Sequence, residues 1–361
     1  MGPASIGHYL RAGLIIAAIG TALAPTRAAA VERFYSRGLY PALQGVLTPL
    51  SNLAPFALFD ALVVGALAAW TWRFAHDLLK GRGGWTRLFL RTLYRTVTAA
   101  AALYLAFLAV WGLNYRRVPL ADKIEFDAEG ISAGAVRALA VTAVTEVNRL
   151  HGSAERAGTA VPVDPSLAGA FRRTQQALGI SRTARPARPK RSVLDLYFKR
   201  AAVDAMTDPY FLETLVVSDL LPFERSFVIA HEWSHLAGFA DEGEANFVGW
   251  LTCIHGSAAA QYSAWLFLYR EVIGVVAAGD RGAVSNGLAA GPRDDLRAID
   301  QRIHGRASAM LSAAGWQVYD RYLRANRVQG GTASYAGVIR LILGTRFSPS
   351  WVPRPRRTPP S

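Results

Sequence analysis

The stretch Thr96–Tyr115 holds twenty residues without a charge, and nothing else in the chain limits the fold so strongly. A helix of that length matches the hydrocarbon thickness of a bilayer, whereas buried helices of soluble domains seldom stay apolar for so long. Two further apolar runs precede it. Ala12–Thr26 is bracketed by Arg11 and Arg27, and Leu53–Trp72 is interrupted only by Asp60. Together the three predict transmembrane helices near 10–31, 53–75 and 94–115. The first run also reads as a signal peptide, since Ala28-Ala29-Ala30 suits cleavage, but its n-region is poor and a retained helix is the better reading. Asp60 lies near the end of its run and is expected to reach headgroup water. Arg73, Lys80, Arg82, Arg87 and Arg91 crowd the loop between the second and third runs. The positive-inside rule puts that loop in the cytoplasm and everything after Tyr115 across the membrane.

Residues 116–347 are then an extracytoplasmic domain, expected to be mostly helical with a short edge sheet, so the fold class is mainly α. Helical patterns run over Ser132–Leu150 (Ser132 as cap), Pro165–Leu178, Tyr262–Ala278, Asp294–Ala314, Gln317–Arg327 and Ser334–Leu343. Phe211–Asp219 is rich in strand formers. Arg182–Arg191 reads as a basic, solvated linker, and 348–361 as a disordered tail. A net charge of +14 would suggest nucleic acid if it sat beside aromatics in a soluble domain. The arginines are instead scattered and flank apolar runs, so the expected partner is a lipid bilayer and not nucleic acid. One cysteine, Cys253, excludes an internal disulfide.

The chemistry concentrates in Phe227–Phe247, FVIAHEWSHLAGFADEGEANF. His231, Glu232 and His235 spell H-E-x-x-H, the pattern of a zinc hydrolase helix. Residues four apart share a helical face, so both imidazoles reach one metal ion, and Glu232 can take a proton from water there. Ile229, Trp233, Leu236 and Ala237 form the apolar back of that helix. Gly238 sits where a C′ glycine ends it. Asp241 with Glu244 resembles a capping box opening the next helix. A catalytic zinc needs a third protein ligand, and Glu242, Glu244 and Asp241 are the candidates.

Glu242-x-x-Ala245-Asn246 resembles the E-x-x-A-D/N element of gluzincin metallopeptidases. That resemblance implies Glu242 as third zinc ligand and Asn246 as support for a ligating histidine. It also implies an edge strand beside the zinc helix that pairs with substrate backbone, a place Phe211–Asp219 is positioned to fill. His231–Asp241 also reads as a metzincin-like string with Asp241 as ligand, although the methionine turn of that family has only Met310 to supply it. The wider string, with Trp111-Gly-Leu-Asn-Tyr115, Leu221-Pro-Phe223 and Ser334-Tyr335, resembles the bacterial membrane-protein family of unknown function 3810. Asp241 departs from that pattern, where a basic or neutral residue is expected.

The expectation is therefore a zinc-dependent metallopeptidase anchored in a bacterial inner membrane and acting on a peptide or protein. Glu232 is its general base, and Tyr335 is a candidate donor to the oxyanion. The alternative is a membrane-tethered metal-binding or scaffold protein without hydrolytic activity. An intramembrane protease is set aside, because Glu224, Asp241, Glu242 and Glu244 make a lipid-buried motif costly.

Overall fold

Four helices rich in apolar residues come first in the computed structural model, which describes residues 3–80, 84–156, 163–308, 313 and 337–356. They are α1 (Pro3–Leu23), α2 (Ala28–Leu53), α3 (Leu58–Leu79) and α4 (Gly84–Val110). By length and composition α3 and α4 can each cross a membrane. Among the described residues a third candidate arises only if α1 and α2 count as one, and these two are bent by 114°. Within α2, Val31–Leu39 is wound as a π-helix.

The spans differ from expectation in three places. Trp111–Tyr115 leaves the last one and forms a 3₁₀ turn, Gly112–Arg116. It bonds to parts of the chain far from α4: Ser36 Oγ donates to Asn114 Oδ1 at 2.9 Å and Trp111 Nε1 to the His235 carbonyl at 3.0 Å. Arg87 and Arg91 lie inside α4 rather than in a loop, and Arg91 and Arg95 reach across to Asp77 on α3. Asp60 is not left to headgroup water. It accepts from Ser192 Oγ at 2.6 Å and Val193 N at 2.8 Å, fastening the first turn of α3 to the following domain.

That domain contains α5 (Ala133–Arg156), α6 (Leu167–Ala177), β1 (Pro189–Lys190), α7 (Asp195–Arg200), β2 (Ala205–Thr207) and β3 (Thr214–Val216). There follow α8 (Pro222–Leu236), α9 (Glu242–Ile254), α10 (Ala258–Val275), α11 (Ala278–Asn286), α12 (Ala290–Arg306), α13 (Gly337–Gly344), β4 (Phe347–Ser348) and β5 (Val352–Pro353). Helix accounts for 71% of the structure, so the mainly α class stands. Ser132 Oγ accepts Ala135 N at 3.2 Å, opening α5 as expected. The expected helix Gln317–Arg327 and Tyr335 lie outside the described residues.

Helices α8, α9 and α10 form the centre, with α5 packed on α10 and α6 on α9. Trp250, fully buried on α9, stands edge-on to Trp265 and Trp351 with centroids 5.4 and 5.2 Å away. Of Phe211–Asp219, only β3 is a strand. Leu212 has φ 54, and the amides of Tyr210 and Phe211 donate to the Asp208 carboxylate, which turns the chain before it. β3 is moreover the central strand, parallel to β1 and antiparallel to β2. The edge strand beside the zinc-motif helix is β2 instead.

Arg182–Arg191 is not a free linker. The Gln44 amide brackets Arg185, accepting its N–H at 2.9 Å and donating to its carbonyl at 2.8 Å. Asn52 Oδ1 accepts Arg188 N at 2.8 Å, and β1 carries the segment into the sheet. Nor is the stretch after 347 wholly a disordered tail. As far as Arg356 it pairs back: Glu125 N donates to Arg354 O and Arg356 N to Lys123 O, at 2.8 and 3.1 Å, so the domain's first strand-like residues hold its last.

Candidate metal centre

Helix α8 ends in a Schellman turn. Gly238 takes φ +82, its N–H donates to His235 O, and Phe239 N donates to Ser234 O. Only glycine adopts that φ without strain, which is why the motif glycine stops the helix here. The remaining end carbonyls are met from the N-terminal part of the chain. Trp111 Nε1 takes His235 O, and Tyr40 Oη donates to Leu236 O at 2.8 Å. The turn also swings the Phe239 carbonyl under the imidazole of His235, 2.7 Å from Nδ1. A carbonyl only accepts, so Nδ1 carries a proton in either charge state of the ring, and Nε2 is the nitrogen that faces the site.

Asp241 then caps α9, accepting Glu244 N at 3.0 Å. The first residue of the new helix, Glu242, is buried and points back at both histidines. Its Oε2 lies 3.3 Å from His231 Nε2 and 3.6 Å from His235 Nε2, and the two Nε2 atoms are 3.1 Å apart. Zinc bonds of ~2.0–2.1 Å in tetrahedral geometry separate ligands by about 3.3 Å. The three donors already have that spacing, and their mix of two imidazoles and one carboxylate is that of a catalytic zinc site with a fourth position open. His231, His235 and Glu242 therefore fit a zinc ion. Among the described residues no other cluster of this kind occurs.

Burial acts to lower the His235 imidazole, but the Glu242 carboxylate outweighs it and lifts the group to about 9. Burial acts to raise Glu242, yet His235 and His231 hold it well below the usual carboxylate range. In the metal-free chain the ring therefore carries a second proton on Nε2, facing Glu242, and that proton must leave before Nε2 can ligate a metal.

Gly249 makes the close approach of the two helices possible. A Cβ there would lie 2.9 Å from His231 N, so any side chain would push α9 off α8. Residues 242, 246 and 249 share this face, which places Asn246 against α8. Its Nδ2 and His231 Nδ1 are both buried and have no partner among the described residues. Glu232 lies beside the donor set, 5% exposed. The Thr207 hydroxyl on β2 is in reach of two acceptors of Glu232, its Oε2 at 2.7 Å and its backbone carbonyl at 2.9 Å, which share the one proton.

Of the expected site residues, the structure brings His231, Glu232, His235 and Glu242 together; Asn246 lies one turn after Glu242 but supports neither histidine, since Phe239 O takes His235 Nδ1 and His231 Nδ1 has no partner among the described residues. Asp241 serves as N-cap. Glu244 turns the other way, its Oε1 accepting Leu120 N at 2.5 Å, so it does not close a capping box on Asp241. Burial lifts the Glu244 carboxyl to about 7 against the pull of Lys123. Sequence reasoning missed Thr207, in a stretch without strand pattern, and the Phe239 carbonyl, which as backbone leaves no signal. Trp111 was visible only as part of the wider family-like string.

A profile of the family described as protein of unknown function DUF3810 matches residues 35–343. The chain belongs to this family. The match takes in α2 from Tyr35 onward, α3, α4 and the His231, His235 and Glu242 cluster of this DUF3810 member. No curated protein and no solved structure matches the chain.

Proposed function

We propose that this DUF3810 protein is a membrane-anchored zinc metallopeptidase with a gluzincin-like centre. The observation that carries the reading is the donor spacing of 3.1–3.6 Å among His231, His235 and Glu242. Zinc, when bound there, supplies Lewis acidity that polarises a peptide carbonyl and acidifies water.

Glu232 accepts a proton from the attacking water and delivers it to the departing amine. The Thr207 hydroxyl, in reach of Glu232 Oε2 and of the Glu232 carbonyl, orients the carboxylate that does this and engages only one of its two oxygens. The His235–Phe239 bond holds the ring with Nε2 toward the metal position, so Nε2 is the nitrogen that gives up its proton when a metal binds. β2 offers its unpaired side to an extended peptide, as an added strand, directly beside Glu232. The arginine-bearing helix ends near Asp77 favour a cytoplasmic hairpin between α3 and α4, which puts the centre on the extracytoplasmic side.

The test is elemental analysis of the detergent-purified protein together with a cleavage screen against a proteome-derived peptide library. Zinc at one per chain, peptide cleavage, and loss of cleavage with zinc retained in Glu232→Gln are expected. Zinc without any Glu232-dependent cleavage would leave a non-hydrolytic metal-binding protein instead. A chain without stoichiometric metal would remove both readings.

A further inference from the structure

Helix α2 is amphipathic in an unusual sense. Its polar residues face the protein: Tyr40, Gln44, Thr48 and Ser51 are buried at spacings of four, four and three. The opposite face carries Leu39, Val46, Leu50 and Leu53, all more than half exposed. In water this would be an unsatisfied apolar stripe; beside a bilayer it is a contact surface.

Three independent features turn that stripe toward lipid. The 114° bend from α1 means that if α1 stands upright, α2 runs close to the membrane plane. Further apolar side chains are exposed next to the same join: Phe56, two residues before α3, and Val193 and Leu196, whose segment is tied to Asp60 in the first turn of α3. Along its flank lies the clamped loop with Arg182, Arg185, Arg188 and Arg191 all exposed, held by Gln44 and Asn52 from the polar edge of the same helix. An apolar stripe edged by arginines is complementary to anionic headgroups above acyl chains.

We infer that Tyr40–Leu53 is an interfacial helix, lying in the headgroup region of an anionic bilayer and seating the domain on the surface rather than crossing it. The inference rests on the membrane reading of α3 and α4, and the metal reading plays no part in it. Through Tyr40 on Leu236 O and Thr48 on Leu212 O, the seated helix fixes the height of α8 above the lipid. Substrates within reach are then polypeptide segments close to the membrane surface.

The experiment uses the full chain in vesicles of phosphatidylcholine, with or without phosphatidylglycerol. Cys253 is buried and stays unlabelled, so single cysteines at Val46, Leu50, Leu67 and Asn286 can each carry an environment-sensitive fluorophore. Val46 and Leu50 labels should be quenched by nitroxides placed at the headgroup and spared by aqueous iodide. The Leu67 label should be quenched by nitroxides deep in the acyl chains, and the Asn286 label by iodide alone. With phosphatidylglycerol, headgroup quenching at Val46 should rise, and the triple variant Arg182→Glu/Arg185→Glu/Arg191→Glu should lose that rise. Iodide quenching at Val46 equal to that at Asn286 would overturn the inference, and deep quenching equal to that at Leu67 would make α2 part of a span. Iodide reaching Leu67 would instead sink the membrane reading itself. A Val46 signal indifferent to phosphatidylglycerol would remove the anionic partner.

Discussion

A hydroxyl on a three-residue strand holds the one carboxylate in the centre that binds no donor of the metal set. Thr207→Val keeps the shape of the side chain and removes its donor, so Glu232 should lose its fixed orientation. Zinc content should be unchanged and kcat should fall about 10–100-fold, the usual cost of losing such a support; Thr207→Ser should recover most of it. Equal kcat in the valine variant would mean that Thr207 does no more than pack. The neighbouring acids should behave differently. Asp241→Asn keeps an N-cap acceptor and the metal, with a stability change within about 1 kcal/mol, whereas Glu242→Gln should weaken zinc binding and activity together.

pH separates the loaded from the empty site. In the metal-free chain the His235 imidazole is raised from 6.5 to about 9. Its ion pair with Glu242 therefore contributes fully below about pH 6.5 and is lost as pH rises through about 9. Zinc needs the neutral ring, so its affinity grows across the same window. The melting temperature of the zinc-loaded protein should pull away from that of the chelator-treated protein between pH 6.5 and 9. A gap that narrows over this range would count against His235 as ligand.

At the scale of elements, the join between α2, α3 and the sheet depends on a buried ion pair. Lys190 on β1 binds Glu213 and donates to Ser51 O and Phe56 O, while Glu213 Oε2 accepts Phe59 N at 3.1 Å. Both side chains are essentially inaccessible, 3% and 0% exposed. Lys190→Met strands the Glu213 charge and takes the lysine donor from Phe56 O, and breaking a buried pair this way costs about 3–5 kcal/mol. Thermal unfolding in detergent should show that loss; a change below about 1 kcal/mol would mean that water reaches the pair. Nothing in the sequence announced this join. Lys190 read as one more charge in a basic linker and Glu213 as the polar gap in a strand, because each partner lies 23 residues from the other and the pattern of either segment alone is unremarkable. Helices α5, α8 and α9 were legible, since capping serines and aspartates, a C′ glycine and apolar periodicity are local signals. β2 was not, because three residues paired at one edge carry no period.

At the scale of the molecule, hydropathy found the helices that can cross a membrane but misplaced their ends. Trp111–Tyr115 is apolar enough to pass for span, and only its hydrogen bonds to residues far along the chain reveal that it belongs to the domain. The orientation remains an expectation with a direct check. A reporter active only in the cytoplasm, fused after Tyr115, should stay silent, while one fused after Lys80 should be active; the reverse pattern would place the centre inside the cell.

The donor set spans only twelve residues, from His231 to Glu242, across one helix end. Under the zinc reading the ligands are therefore neighbours along the chain as well as in space, and bringing them together closes only a short loop. Assembling the site costs little chain entropy, and what the fold must supply is the close approach of α8 and α9, which Gly249 permits by letting the two backbones meet.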